Sequence, residues 1–439
     1  MNTMNRILQI QLLAENILEQ KRFKAPNGYF ELVHQTLDDY ASGKDEMEGL
    51  KDIPSHLSHP LRNMLVGLNP FQVMFGSLST QEAAFVLVHV IESLSNPKIP
   101  FDKTVAFLIK EVESVKDIVE DKFSEQTKGA QRNTGVIMNL VGPHRFFLQG
   151  KPMFLVEQTL CEGLVHTNFG MDTPSQYLRS PLPYCYIEFG DKRDLDVSVY
   201  NELSGLHQVE GVYISEYPHD ERMQSHLMAF LEARNAFNPN SANVRYIELE
   251  FTGSPIGKEH ALDDATFNIS LVIDDDAMLT VEEIYQLHVE YYQEMHETNQ
   301  LFKATRIDDT TAQCFKPLLE LLIKCLIFIN CDLSTQVKVL DRTALEKQLN
   351  GLKNPAKRRK LQRKINSSKD YILVTSKDKI EYQSAASGVN GKMSAHWRRG
   401  HFRNQRYGEE LSKTKILWIQ PALIGVGSAQ VKTYVVKSN

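Results

Sequence analysis

The hydrophobic positions change period three times along this chain, and each change predicts a different layer of structure. Near the start, Leu8, Leu12, Leu13 and Ile17 recur at helical spacing. Ser79 with Glu82 forms a capping box ahead of AAFVLVHVIESL, and Asp102 precedes a segment in which Val105, Leu108, Ile109, Val112 and Val115 share one face. Asn96-Pro97 and Ile99-Pro100 separate these helices, because proline lacks a donor and turns the preceding residue away from helical geometry. The first 175 residues therefore read as a helical region.

Between about residues 180 and 280 the period becomes two. LPYCYIEF, VEGVYISEY, VRYIELEF and FNISLVID are β-branched and aromatic runs bounded by turn residues. They predict four strands of a largely antiparallel sheet, interrupted by a helix over roughly 219–237. Helical spacing then returns. Thr280 and Glu283 make a second capping box before an amphipathic segment, and Pro317 suits the first turn of the very apolar LLELLIKCLIFI. These two helices are expected to cover the sheet.

The last part opens with NPAKRRKLQRKI, continues through YILVTS and HWRRGHFRNQRYG, and closes with the strand candidates KILWIQPALIGV and KTYVVK. The expected fold class is α+β: a helical N-terminal part, a central mainly antiparallel sheet flanked by helices, and a basic C-terminal segment joining that sheet. The expected divisions are 1–175, 176–350 and 351–439.

Charge sharpens this picture. Residues 351–439 hold 19 Lys+Arg against 5 Asp+Glu, about +14; the remainder holds 49 − 19 = 30 basic and 55 − 5 = 50 acidic residues, about −20. Such a division predicts an anionic partner for the tail, docking of the tail on the acidic body, or both. The five dispersed cysteines contain no Cys-x-x-Cys, which fits a reducing cytoplasm better than a disulfide framework. Leu318–Ile329 is short for a membrane crossing and includes Glu320 and Lys324, so no membrane partner is expected.

The candidate contact surface is His396, Trp397, Arg398, Arg399, His401, Phe402, Arg403, Arg406 and Tyr407, with Trp418 beyond it. Guanidinium groups fork onto phosphates, and flat rings stack on bases. The competing reading pairs the arginines with the acidic body and buries the rings. A second basic patch comprises Lys357, Arg358, Arg359, Lys360, Arg363 and Lys364, on a helix whose Leu361 and Ile365 would face the protein. It too could contact phosphate, or be a solvated face.

Templates for an enzyme fail. GVGSAQ places Gln430 where a dinucleotide fingerprint needs glycine, and Gly391-Lys392 is followed by Met393 instead of Ser or Thr. Asp274-Asp275-Asp276 could gather a cation, but a turn after a strand explains them more simply. His396 and His401 could serve as acid and base in RNA cleavage, leaving a ribonuclease as one alternative and a general RNA- or DNA-binding protein as another. Neither a cofactor nor a metal is expected.

RRGHF and RYG followed by ILWIQPALIGVG resemble the C-terminal signature of a type V-A anti-CRISPR family, one that lowers expression of the CRISPR nuclease rather than blocking the finished enzyme. The likeness runs upstream in order through CFKPLLELLIKCLIFINCDLS, FNISLVIDD with TVEEIY, VEGVYISEY and LPYCYIEF, covering roughly 180–439; the basic stretch around Arg358 and Arg359 does not contribute to it. The resemblance implies a protein of mobile elements that recognises a nascent polypeptide at the ribosome and triggers loss of its mRNA. Its implied partners are a nascent chain, such as the N-terminus of a CRISPR nuclease, and the ribosome or mRNA.

Overall fold

A computed structural model describes residues 3–20, 57–66, 88, 146, 151–168, 173–192, 194–201, 205–218, 226–255, 265–298, 309–331, 333–366, 368–377 and 396–424. The helix expected after Asp102 and the strand candidate KTYVVK lie outside these residues, as does all of the helix expected after Ser79 except Val88, which is helical and buried. Helix α1 (Thr3–Gln20) forms where the first apolar stripe predicts it. Its buried line is Ala14 and Leu18, however, while Leu12 is exposed.

The molecule is organised around one mixed sheet. Its strands are β1 (Met153–Val156), β3 (Tyr184–Phe189), β4 (Ser198–Asn201), β5 (Gly205–Pro218), β6 (Val244–Pro255), β7 (Ala265–Asp274), β8 (Ser334–Leu340) and β9 (Asp370–Ser376). The order is β7-β6-β5-β3-β1-β9-β8, with β4 paired to the first part of β5. All pairings are antiparallel except β1 with β3 and β1 with β9. The four strands expected from period-two runs are thus adjacent and antiparallel, and of the C-terminal strand candidates YILVTS joins them as β9. The register of β5 against β6 slips between Val209 and Gly211. Glycine fits there because a Cβ at Gly211 would collide with the Ile187 carbonyl and the Tyr186 ring.

One face of the sheet is apolar. Ile187, Ile214, Leu249, Phe251 and Ile269 pack against α5 (Val281–Thr298) and α6 (Asp309–Asn330). Phe315 of α6 lies 5.7 Å edge-on from Phe251 and stacks at 5.5 Å on Tyr285 of α5. Each such buried side chain contributes roughly 1.5–3 kcal/mol of transfer free energy. Helix α6 begins eight residues before Pro317, which sits inside it rather than in the first turn. The preceding Thr-Ala-Gln-Cys-Phe run tolerates helix, so the proline costs one hydrogen bond without ending the element. The capping box forms as expected: Thr280 Oγ1 accepts the Glu283 N–H at 3.2 Å, and Glu283 Oε2 accepts the Thr280 N–H at 2.8 Å. Between β5 and β6 the interrupting helix is α4 (His226–Glu232), whose Leu227, Met228 and Leu231 are buried with Tyr217 and Tyr246 in a smaller cluster.

The other face is aromatic and charged, yet equally buried. Tyr186 and Tyr213 lie 4.6 Å apart under Phe146, and Glu248 and Glu250 are covered although their strand alternates as a half-exposed one would. Helix α2 (His59–Val66) closes this face. Arg62 donates to Glu210 Oε1 and Oε2 at 3.0 and 2.7 Å and to Ser254 Oγ at 3.0 Å, while His59 Nδ1 lies 3.0 Å from the Tyr213 hydroxyl. A buried carboxylate is tolerated because this forked cation compensates it.

At the β7 edge of the sheet, α5 supplies partners for the main chain. His288 Nε2 accepts the Val272 N–H at 2.9 Å, and the Tyr292 hydroxyl donates to the Ser270 carbonyl at 3.1 Å. At the opposite edge, β8 and β9 are joined by α7 (Asp341–Gly351) and α8 (Pro355–Asn366).

Candidate nucleic-acid interface

The arginine- and aromatic-rich segment folds into strands of its own beside the main sheet. β10 (His396–Arg398) pairs with β13 (Ala422–Ile424), and β11 (Gly400–Tyr407) forms an antiparallel hairpin with β12 (Lys413–Ile419). The chain leaves β11 at Gly408, whose φ of 81° suits glycine. Outer pairing of β11 is with the two-residue β2 (Thr167–Asn168), which follows α3 (Gln158–Val165). These late strands therefore do not extend the central sheet as expected; β8 and β9 hold the positions beyond β1, and β11 finds its parallel partner in β2.

Alternation along the hairpin separates its two faces. Phe402, Asn404 and Arg406 stand opposite Trp418, Ile416 and Thr414, whereas His401, Arg403, Gln405 and Tyr407 stand opposite Ile419, Leu417, Lys415 and Lys413. The first set turns inward at its apolar end. Phe328 of α6 meets Phe402 at 6.1 Å and Trp418 at 4.9 Å, both edge-on. Trp418 Nε1 donates to Thr167 Oγ1 at 2.9 Å, and that hydroxyl donates to the Gly163 carbonyl at 2.7 Å. Phe402 and Trp418 are thus half-buried anchors, not rings offered to a ligand.

Main-chain bonds complete the attachment. The Gly400 N–H donates to the His166 carbonyl at 3.0 Å, and Arg399 Nη1 donates to Asn168 Oδ1 at 3.1 Å. Gly400 has no room for a side chain, since a Cβ would lie 2.8 Å from Thr167 Oγ1. Lys324, buried in α6, is held down to about 8 chiefly by burial, with Glu320 at 3.8 Å opposing the shift and the Arg399 charge adding to it. Burial likewise lowers His166, and Arg399 and Lys324 push it the same way. At His166 the Asp196 carboxylate opposes that shift, so burial is the main cause of both depressions where the hairpin meets α3 and α6.

The second set of hairpin side chains faces solvent. His401, Arg403 and Tyr407 are exposed, as are Arg398, Arg399 and, at the far end of the first set, Arg406. Lys415 Nζ lies 5.4 Å from the Tyr407 ring centroid. Among the described residues, none of these four arginines forms an ion pair with a carboxylate. Their charge is therefore available to an external anion. His396 and Trp397 belong to β10, but their side chains lie outside the described residues. The two histidines weighed as an acid and base pair stand on β10 and β11, in different sheets.

The second basic patch is helix α8, which docks as its spacing predicts. Ile365 is buried, Leu361 is half-buried, and Lys357, Arg359, Lys360 and Lys364 are exposed. Arg358 is used within the fold, donating to the Leu349 and Leu352 carbonyls at 3.1 and 3.0 Å at the end of α7. Arg363 is in the same helix, with its side chain outside the described residues.

Carboxylates of the Asp274–Asp276 turn are engaged by protein donors. Asp274 accepts from Ser241 Oγ and the Asn238 N–H, Asp275 from Arg179 and Arg245, and Asp276 from Ser241 and Asn243. Among the described residues no group of three or more His, Cys, Asp or Glu side chains could hold a metal ion, and no helix is long and apolar enough to cross a membrane. Sequence reasoning missed the buried Arg62–Glu210 lock and the main-chain edges of the sheet. The signal for the lock is faint, a lone arginine in HPLRNMLV. For the β8 edge it is the alternation in STQVKVL.

Residues 154–426, more than half of the chain, match the AcrVA2-like family, described as the Anti-CRISPR type V subtype A2 family. A solved structure described as the crystal structure of AcrVA2 is similar to 78% of this chain and 98% of that one, with 11% sequence identity and a TM-score of 0.35. No curated protein matches. The family match spans the central sheet from β1 onward, α3, α5, α6 and the basic hairpin, and on it the chain belongs to the anti-CRISPR type V subtype A2 family.

Proposed function

We propose that this protein recognises a specific polypeptide as it emerges from the ribosome and brings about loss of the mRNA that encodes it. The observation that carries the reading is the exposed hairpin face, whose arginines form no ion pair among the described residues and whose position is fixed by Phe402 and Trp418 on an acidic body. A rigidly held cationic strand pair suits contact with mRNA or ribosomal RNA, because phosphate contacts position a complex without reading sequence. Arg398, Arg399, Arg403 and Arg406, with His401 and Tyr407, would form that contact; His396 and Trp397 continue it along β10. Helix α8 would add further phosphate contacts through Lys357, Arg359, Lys360, Arg363 and Lys364. The protein needs no catalytic group for this role if a host nuclease removes the message, and it would work in the cytoplasm, where translation takes place.

Family membership makes the N-terminal segment of a type V-A CRISPR nuclease the first target to test. Three reporters discriminate the classes of mechanism. One carries the natural coding start, one the same peptide through synonymous codons, and one nearly the same nucleotides shifted out of frame. Message loss that follows the peptide supports nascent-chain recognition. Loss that follows the nucleotides supports the general nucleic-acid-binding alternative, and cleavage of naked RNA by the purified protein supports a ribonuclease.

A further inference from the structure

We infer that the outer edge of β8 is a docking edge for an extended, acidic polypeptide segment, which adds to the central sheet as its next strand. The inference rests on the nascent-chain reading and says where on the molecule the polypeptide is held. It starts from the unequal treatment of the two sheet edges. On β7, His288 and Tyr292 occupy the outward main-chain groups of Val272 and Ser270. On β8 no residue does so among those described, and Thr335, Gln336, Val337 and Lys338 are exposed in succession.

Register identifies the groups on offer. The Lys377 N–H donates to the Leu333 carbonyl, so Thr335, Val337 and Val339, at alternate positions, bond to β9. On the far side of β9, the Val374 carbonyl accepts the Glu157 N–H at 2.9 Å, so Val374 bonds toward β1 and Gln336 opposite it does not use β9. Gln336 and Lys338 consequently aim their N–H and C=O groups away from the sheet.

Proteins usually blunt such an edge with a bulge, a proline, several charges or a covering element. β8 pairs without a register shift from Ser334 to Leu340 and carries one lysine, no proline, and an apolar Val337 that is 50% exposed. An edge left pairing-competent in this way offers main-chain affinity plus side-chain selectivity. The neighbourhood selects the occupant. β8 runs directly into α7, which packs against α8, and residues 351–369 contain eight Lys or Arg and no Asp or Glu. A second copy of this chain would bring the same positive charge to the edge, whereas a segment bearing carboxylates would be drawn to it. An apolar residue facing Val337 would extend the sheet surface formed by Leu155 and Leu373.

Proline at position 338 tests the inference, because its ring would replace an outward N–H and leave the bonds to β9 intact. A displayed library of random twelve-residue peptides is selected on the full chain, and the enriched peptide is synthesised. Its affinity is then measured for the wild type, Lys338→Pro and Lys338→Ala, with circular dichroism confirming that each is folded. Lys338→Pro is expected to weaken binding by about ten-fold or more, and Lys338→Ala by no more than about five-fold. Hydrogen exchange at the Gln336 and Lys338 amides should slow when the peptide binds. Equal affinity of all three proteins, or unchanged exchange at those amides, would overturn the edge assignment while leaving nascent-chain recognition standing. Failure to enrich any peptide would count against both. Concentration-dependent dimerisation abolished by Lys338→Pro would assign the edge to a second copy and overturn the inference.

Discussion

His288 holds the Val272 N–H at 2.9 Å, and the same imidazole donates from Nδ1 to the Ile284 carbonyl at 2.7 Å. Keeping the two bonds together requires the neutral ring with its proton on Nδ1, because Nε2 must accept from Val272, whereas the donation to Ile284 alone would survive protonation. Burial pushes the pKa of His288 down to about 4. Between that value and the ordinary one near 6.5 the unfolded chain binds a proton that the folded chain refuses. Stability from this neutral imidazole is therefore complete above about pH 6.5 and declines as the pH falls toward 4, on the order of 3 kcal/mol in all. Thermal melts of wild type and His288→Gln across this range check it: the wild-type curve should fall steeply, and the variant should start lower and fall less.

Lys324 gives the opposite dependence on the alkaline side. Its ammonium is buried in α6 and held down to about 8, so the folded protein releases a proton that the unfolded chain retains up to about 10.5. Stability should rise with pH across that interval. Lys324→Met should flatten the rise and leave the melting temperature at pH 7 unchanged or higher, because it removes a buried charge without creating a cavity.

Removing the guanidinium of Arg62 would leave Glu210 charged and buried. Arg62→Ala is expected to cost about 3–5 kcal/mol in chemical denaturation, and adding Glu210→Gln should restore part of the loss. A cost below about 1 kcal/mol would show that this lock contributes little to holding α2 on the sheet.

The two faces of the hairpin should separate stability from binding. Trp418→Ala removes packing on Phe328 and the bond to Thr167, and should destabilise by about 2–3 kcal/mol, less than a fully buried tryptophan would. Arg403→Glu and Arg406→Glu should change stability by no more than about 0.5 kcal/mol. Affinity for a single-stranded RNA should fall in both, and truncating either arginine to alanine should lessen the salt slope by roughly 0.7 for each phosphate that is no longer neutralised.

Much of the central sheet was legible because β3, β5, β6 and β7 are long period-two runs joined in sequence. Their antiparallel pairing, interrupted by the slip at Val209–Gly211, needs no distant information. β1 was not legible: MFLV is four apolar residues, too short to show a period, and its parallel partners β3 and β9 are set by packing of remote segments. Glu248 and Glu250 mark the same limit, since their alternation signals a solvent-facing side and yet both are buried, Glu248 accepting from the Tyr217 hydroxyl.

At the candidate interface, charge was legible and direction was not. Arginine exposure follows from composition, because the tail has few carboxylates to neutralise it. The inward turn of Phe402 and Trp418 depends on where β2 and Phe328 lie, and that is decided by segments more than seventy residues away. A two-residue strand such as β2 has no sequence signature of its own.

In the proposed function, this protein joins a particular nascent chain to its message. Tagged protein is used to capture translating ribosomes, with and without prior puromycin release of the nascent chains, and the associated messages are sequenced. Strong enrichment of one message, or of one group sharing an N-terminal coding region, is expected, and puromycin release should abolish it. Uniform recovery of messages, or enrichment that persists after the nascent chain has gone, would contradict that function.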